Sequence, residues 1–226
     1  MLFLAVFCGF MAEYQLEHVI EKSREKQYIE SFIADLKLDT SQLDDAINLR
    51  SDRARKCDSL IMLLKSPGRE NNIGTIYRFG LQLSSSNRLS YNDRTIQQLR
   101  NAGGMRLIRS KGASDSITNY DIAFRRMQLT EDQSLDVLRE YRAVAGKLFD
   151  ASVFLSMVDS RVNSIIKMPP GNPKLLSEDP QIINDVCVQL LFYRRENMGI
   201  ANYQKNTLLA RAERALEYLK KEYQIK

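Results

Sequence analysis

The sequence predicts an all-α protein: a long N-terminal helix, formed by a membrane anchor and a coiled-coil-like extension, packed into an elongated helical bundle with a long C-terminal helix. Three observations carry that expectation. Only 10 Gly and 5 Pro occur among 226 residues, which leaves few tight turns and favours long elements. Apolar residues recur in alternating steps of four and three from Ile29 to Leu64. No stretch alternates with period two, so strands are not expected.

The first element is an apolar run. Residues 1–12 read MLFLAVFCGFMA, with no polar side chain apart from the Cys8 thiol. A full helical span needs about 20 apolar residues, and the run continues into an amphipathic stretch that places Tyr14 and His18 at interfacial depth. Met1 to about Ile20 is therefore expected to be a transmembrane anchor, missing its first residues, followed by a helical bundle domain over 21–226. A secretory signal is disfavoured, because such a signal opens on a basic region and the first basic residue here is Lys22. Cys8 is a poor lipidation site, with bulky Phe7 where a small residue belongs.

The seam comes next. Ile29, Ile33, Leu36, Thr40, Leu43, Ile47, Arg50, Ala54, Cys57, Ile61 and Leu64 follow heptad spacing, with Thr40 and Arg50 as polar breaks. Ser41 and Asp44 fit a capping box, but the unbroken seam favours one helix through to about Lys65. Ser66-Pro67-Gly68 ends it.

Shorter elements fill the middle. Gly74–Leu83 reads as a helix and Ser84–Asn87 as a loop. Asn92 or Asp93 caps a helix through Ala102, which Gly103-Gly104 terminates. Met105–Ile108 is short and apolar, and Lys111-Gly112 reads as a break. A helix from Ser114 carries Ile117, Tyr120, Phe124 and Met127 on one face, kinks at Leu129-Thr130 and runs to about Lys167. After Met168–Pro173, Asp179-Pro180 opens the last helix, with Pro in the first turn. That helix extends to Tyr223, with Gly199 its weak point.

The organisation resembles a family. An apolar N-terminal segment, a charged helix over Lys22–Leu38, the Leu99–Ile108 stretch with its Gly-Gly-Met-Arg-Leu-Ile core, and Asp179-Pro180-Gln181 before one long closing helix are similar to uncharacterised single-pass membrane-anchored helical proteins common in Bacteroidota, a domain of unknown function. The resemblance implies an inner (cytoplasmic) membrane protein with its soluble domain in the periplasm. It carries no activity and no catalytic residue. Lys22, Arg24 and Lys26 just after the anchor argue for the opposite orientation by the positive-inside rule; the absence of a basic leader favours the periplasmic one.

Chemistry is sparse. His18 is the sole histidine, and Cys8, Cys57 and Cys187 show no Cys-x-x-Cys spacing, so a zinc signature and most His-based catalysis are excluded. Ser23–Lys26 and Ser164–Lys167 each fit Ser-x-x-Lys but lack companion motifs. Gly103-Gly104 lacks the Gly-Lys-Ser/Thr of a phosphate loop and reads as a helix C-cap. The acidic pairs Asp44-Asp45, at a helix start if Ser41 caps one, and Glu178-Asp179, ahead of the last helix, are accounted for by the dipole. No catalytic, cofactor-binding or metal-binding residue is assigned, and no cofactor is expected.

Charge points to surfaces. The net charge is +5. Residues 88–126 hold eight Arg/Lys against three Asp, and residues 194–226 hold eight Arg/Lys against four Glu. Solvated helix faces are the plain account. Among anionic partners, lipid headgroups rank first because an anchored protein meets them by default; nucleic acid ranks last, with no reader motif and no aromatic interleaving. The expected function is a membrane-anchored helical scaffold or interaction domain without catalytic activity. Its partners are membrane lipids through the N-terminal helix, and another protein or a second copy through helix faces. A sensor domain binding a small ligand inside the bundle is the alternative. Cys57 and Cys187 are expected to be buried, unbridged and slow to react.

Overall fold

The computed structural model describes residues 2–86, 88–101, 103–158 and 166–225. The chain is 83% helical, and no strand occurs among the described residues; Val158 and Ile166 form an isolated antiparallel bridge. Seven α-helices are described: α1 (Leu2–Lys65), α2 (Ile73–Leu83), α3 (Arg94–Asn101), α4 (Lys111–Leu148), α5 (Ala151–Met157), α6 (Pro180–Tyr203) and α7 (Ala210–Glu222). Single 3-10 turns occupy Arg69–Asn72 and Gly104–Leu107, and a π-helical turn over Gln204–Leu209 joins α6 to α7. The all-α expectation, with its long first and last helices, holds.

Local differences have local causes. α1 runs through Asp39–Ser41 without a break, and the Thr40 hydroxyl donates to its own helix at Lys37 O (2.8 Å) rather than capping a new one. Lys111-Gly112 is not a break but the first turn of α4, with Ser110 ahead of it accepting from Ala113 N. α4 runs through Leu129-Thr130 without a break, and Thr130 Oγ1 donates to Arg126 O (3.1 Å) within the helix. The helix expected to reach Lys167 ends at Leu148; Asp150 then caps α5, accepting from Ser152 N at 2.7 Å. Gly103 stops α3 as expected, in the left-handed conformation (φ 64°) that favours glycine. Helicity continues through Gly199, and the irregularity falls instead at Gln204, where the π turn begins.

The chain divides into two compact units. Unit 1 comprises Met1–Asp44, Ser90–Arg125 and Asn206–Lys226. Its buried apolar side chains include Ile29, Phe32, Leu36 and Leu43 of α1, Ile96 and Leu99 of α3, Ile117, Tyr120 and Phe124 of α4, and Ala212 and Leu219 of α7. Tyr91 stacks on Phe124 at 3.9 Å, and Phe32 meets Tyr120 edge-on. Three buried carboxylates of α1 satisfy backbone donors elsewhere in this unit. Glu25 accepts from Arg109 N (2.8 Å), just ahead of α4. Asp35 accepts from Thr95 N (3.2 Å), one of the orphan donors in the first turn of α3. Asp39 accepts from Asn92 N (3.1 Å), Asn92 Nδ2 (2.6 Å) and the Tyr120 hydroxyl (3.0 Å). The cap expected from Asn92 or Asp93 on α3 thus comes from Asp35, a residue of another helix, while the Asn92 side chain is engaged by Asp39.

Unit 2 comprises Asp45–Leu89 and Arg126–Lys205. Its core is apolar and aromatic: Cys57, Leu60 and Leu64 of α1, Ile76 and Tyr77 of α2, Leu138, Tyr141 and Leu148 of α4, and Val186, Leu190 and Tyr193 of α6. Packing at Gly80 is tight enough to require glycine, since a Cβ there would lie 2.6 Å from the Phe149 ring; the Tyr141 hydroxyl donates to Gly80 O nearby (3.0 Å). The Arg50–Glu131 ion pair of this unit is buried. Arg50 donates to Glu131 Oε1 (3.1 Å) and to Asn197 Oδ1 (3.2 Å), and Asn197 is itself held by donation to Tyr193 O. Arg50, the polar break in the seam, is therefore a core residue with partners. Cys57 and Cys187 are both free and buried, and burial pushes the Cys57 thiol up to about 12 and the Cys187 thiol upward.

Candidate membrane-docking site

The N-terminal part of α1 exposes its apolar side chains. Phe3, Val6, Phe7, Phe10, Met11, Tyr14, Leu16, Val19 and Ile20 are all exposed, Phe3 by 82% and Phe10 by 69%. Phe3, Phe7, Phe10 and Tyr14 share one face, with Phe3 stacked on Phe7, whereas Leu16, Val19 and Ile20 turn away from it. The apolar surface therefore goes round the helix. Single exposed hydrophobics are ordinary, but a contiguous run of this kind is the sort of surface that a protein partner or a membrane can cover.

Among the described residues, no helix is long and apolar enough to cross a membrane. The reason is the order of residues after Ala12. Glu13, Gln15 and Glu17 enter within the length that a span requires, and Glu21 and Lys22 follow directly. The transmembrane expectation for residues 1–20 thus has an apolar N-terminal part and an amphipathic C-terminal part.

A cavity of about 600 Å³ lies in unit 1 at the end of this arm, lined by His18, Lys22, Glu25, Lys26, Arg109 and Tyr223, among others. α1 supplies four of those side chains in successive turns, at steps of four, three and one. Arg109 is fixed from two sides, by an ion pair with Glu21 and by a contact between its Nη1 and His18 Nδ1 (2.7 Å). His18 stacks on Tyr14. Glu25 is only 6% exposed and is occupied by Arg109 N and by the Tyr223 hydroxyl at 2.5 Å; burial pushes the Tyr223 phenol upward, and its bond to Glu25 adds to the shift. Lys22 and Lys26 line the same space, are exposed, and have no carboxylate partner among the described residues. A second groove, of about 450 Å³, is lined by Ser116, Asn119, Arg211, Arg214 and Tyr218.

Other sequence candidates fall away. Ser23 and Lys26 are both exposed on α1 without an activating contact between them. Ser164 lies outside the described residues. No group of three or more His, Cys, Asp or Glu is placed to hold a metal ion among the described residues. The basic stretch 88–126 is largely neutralised: Arg88 pairs with Asp132, Arg94 with Asp35, Arg100 and Arg125 with Asp121, and Arg109 with Glu21. Counting charge along the chain overstated that patch, because Asp132, Asp35 and Glu21 lie outside it, while Asp121 was already in the count. It also missed Glu25 and Tyr223, 198 positions apart, which the fold brings together. Comparison with known families, with curated proteins and with solved structures finds no match to this chain.

Proposed function

We propose that this chain is a membrane-tethered helical scaffold or interaction protein rather than an enzyme, held at the bilayer by the arm of α1. The exposed apolar arm carries the proposal. The eleven apolar residues of α1 up to Ala12, at 1.5 Å each, make about 16 Å of helix, more than half of a hydrocarbon core roughly 30 Å thick. Tyr14 and His18 follow at the position where amphipathic rings settle at an interface. The resemblance to membrane-anchored proteins of Bacteroidota extends the proposal to the inner membrane, with the helical units on the periplasmic side.

Partner binding through helix faces draws support from α6. Val188, Leu191, Phe192 and Met198 are exposed there at helical spacing. The sensor alternative, with a ligand enclosed in the bundle, draws less support. The cavity beside Arg50, Glu131 and Tyr193 measures about 10 Å³, room for one water molecule.

Co-flotation of the full chain with phosphatidylcholine vesicles tests the tether. The chain is expected to float with the vesicles, and Phe7→Glu with Phe10→Glu to remain in the aqueous fraction with unchanged helicity. A wild-type chain that stays behind, monomeric and soluble without detergent, contradicts the proposal.

A further inference from the structure

We propose that the cavity at the base of the arm is a binding site for the phosphate of an anionic phospholipid headgroup, with Lys22 and Lys26 as its ligating cations and Arg109 as a fixed wall. The inference rests on the tether proposed above and adds to it a specific lipid contact. Position is the first argument. From Tyr14, His18 lies four residues and Lys22 eight residues further along the axis, roughly 6 and 12 Å. The headgroup layer on each side of the hydrocarbon core is about 5–8 Å thick. His18 falls within that layer. Side chains on an α-helix tilt toward its N-terminus, so the long stem of Lys22 leans back toward the headgroups, as snorkelling lysines do; Lys26, twelve residues or roughly 18 Å beyond Tyr14, reaches them with the arm inclined to the bilayer.

Charge is the second argument. Three cations, Lys22, Lys26 and Arg109, face the cavity with the carboxylates of Glu25 and Glu222. Glu25 is committed to Arg109 N and Tyr223, and the Arg109 guanidinium is committed to Glu21 and His18. Among the described residues neither lysine is within ion-pair distance of a carboxylate, Glu222 of the same cavity included. At about 600 Å³ the space is of the size that takes a small ligand. A phosphodiester offers anionic oxygens to both ammonium groups, and its acyl chains run alongside the exposed apolar face of the arm. The shared chemistry is a phosphate group, and we commit to the lipid as its source because the cavity adjoins the arm on the same helix.

The test compares flotation of the full chain with phosphatidylcholine vesicles, with and without phosphatidylglycerol, for the wild type and for the single variants Lys22→Gln, Lys26→Gln and Arg24→Gln. Arg24 lies at the same height on α1, is exposed and does not line the cavity. Phosphatidylglycerol is expected to strengthen binding, and Lys22→Gln or Lys26→Gln to weaken it about fivefold each, the effect of one basic residue at an anionic surface. Arg24→Gln is expected to cost clearly less. Equal losses for Arg24→Gln reveal a diffuse field instead of a site and overturn the inference. So does equal binding to both vesicle types, which leaves the tether standing. Failure to bind either type overturns tether and site together. Binding of inorganic phosphate to the full chain without vesicles, lost in Lys22→Gln and Lys26→Gln, together with no gain from phosphatidylglycerol, identifies a free anion as the ligand and overturns the lipid assignment.

Discussion

Units 1 and 2 are built from stretches of the same long helices, yet different forces hold them. In unit 1, α1 offers carboxylates at buried positions, and these capture backbone donors of the segments beside it: Glu25 at Arg109, Asp35 at Thr95 and Asp39 at Asn92. In unit 2, α1 contributes Cys57, Leu60 and Leu64 to an apolar core, and of its buried charges Arg50 meets a carboxylate from α4 while Arg53 donates to the Tyr193 hydroxyl. One helix thus follows two strategies. Where the neighbouring segments are short helices and loops with unpaired N–H groups, acceptors are worth burying. Where the neighbours are long helices whose backbone is already satisfied, apolar contact is the better use of the same face.

The largest expected effect comes from breaking the ion pair of unit 2. Glu131→Ala takes away the carboxylate that faces Arg50, and a half-removed buried pair costs about 3–5 kcal/mol. Arg50→Met with Glu131→Leu is expected to restore most of that loss. Urea unfolding of both variants checks it, and equal destabilisation would mean that the pair carries specific worth beyond its charge balance.

The next effect sharpens the contrast in unit 1. Asp35→Ala leaves Thr95 N and its hydroxyl without their acceptor and is expected to cost about 1–3 kcal/mol. Faster amide exchange at Thr95 and its neighbours in α3 is the local signature. Exchange that changes no more in α3 than elsewhere would contradict the cross-helix cap.

A smaller gain is expected at the end of α6. The Gln204 side chain is fully buried, and both its amide atoms lack a hydrogen-bond partner among the described residues. Gln204→Leu keeps similar bulk and is expected to stabilise by about 1 kcal/mol. Thermal unfolding at a lower temperature than the wild type would show that the amide is bridged by water.

The smallest effect is a pH dependence. Burial raises the Asp39 carboxyl above its usual value of 3.8, against the lowering effect of its bonds to Asn92 and Tyr120. Between the unfolded value and this raised folded value, the folded chain holds more protons than the unfolded one, so this group's contribution to stability falls as pH rises through that window. Asp39→Asn removes the charge while keeping an acceptor for Asn92. The variant is expected to gain on the wild type as pH rises from just below 4 toward neutrality. Parallel stability curves would contradict the assignment.

Much of this was legible in the sequence, and the rest was hidden for identifiable reasons. The α1 seam appears in the spacing of Ile29, Leu36, Leu43, Ala54, Cys57 and Leu64, all buried, because burial of one helix face imposes a period that no other element shares. The carboxylate caps were hidden because their partners lie 53 to 84 positions away. A sign was present all the same. Glu25, Ile29, Phe32, Leu36, Asp39 and Leu43 also follow four-three steps, so two acids stand at core positions of α1. The overlooked signal is an acid where the period demands an apolar residue. The arm was legible as an apolar run, whereas the cavity at its base depends on Arg109 and Tyr223 arriving from distant segments.

The central claim is that the arm of α1 enters a bilayer, and the thiol at position 8 tests it directly. Cys8 is exposed, while Cys57 and Cys187 are buried with raised thiol pKa values, so a maleimide fluorophore is expected to mark Cys8 selectively. With vesicles containing chain-brominated lipids, the Cys8 probe is expected to be strongly quenched. A probe on Ser23→Cys, in a chain with Cys8 changed to Ser, is expected to remain unquenched. Equal, weak quenching at both positions would contradict insertion of the arm and the tether with it.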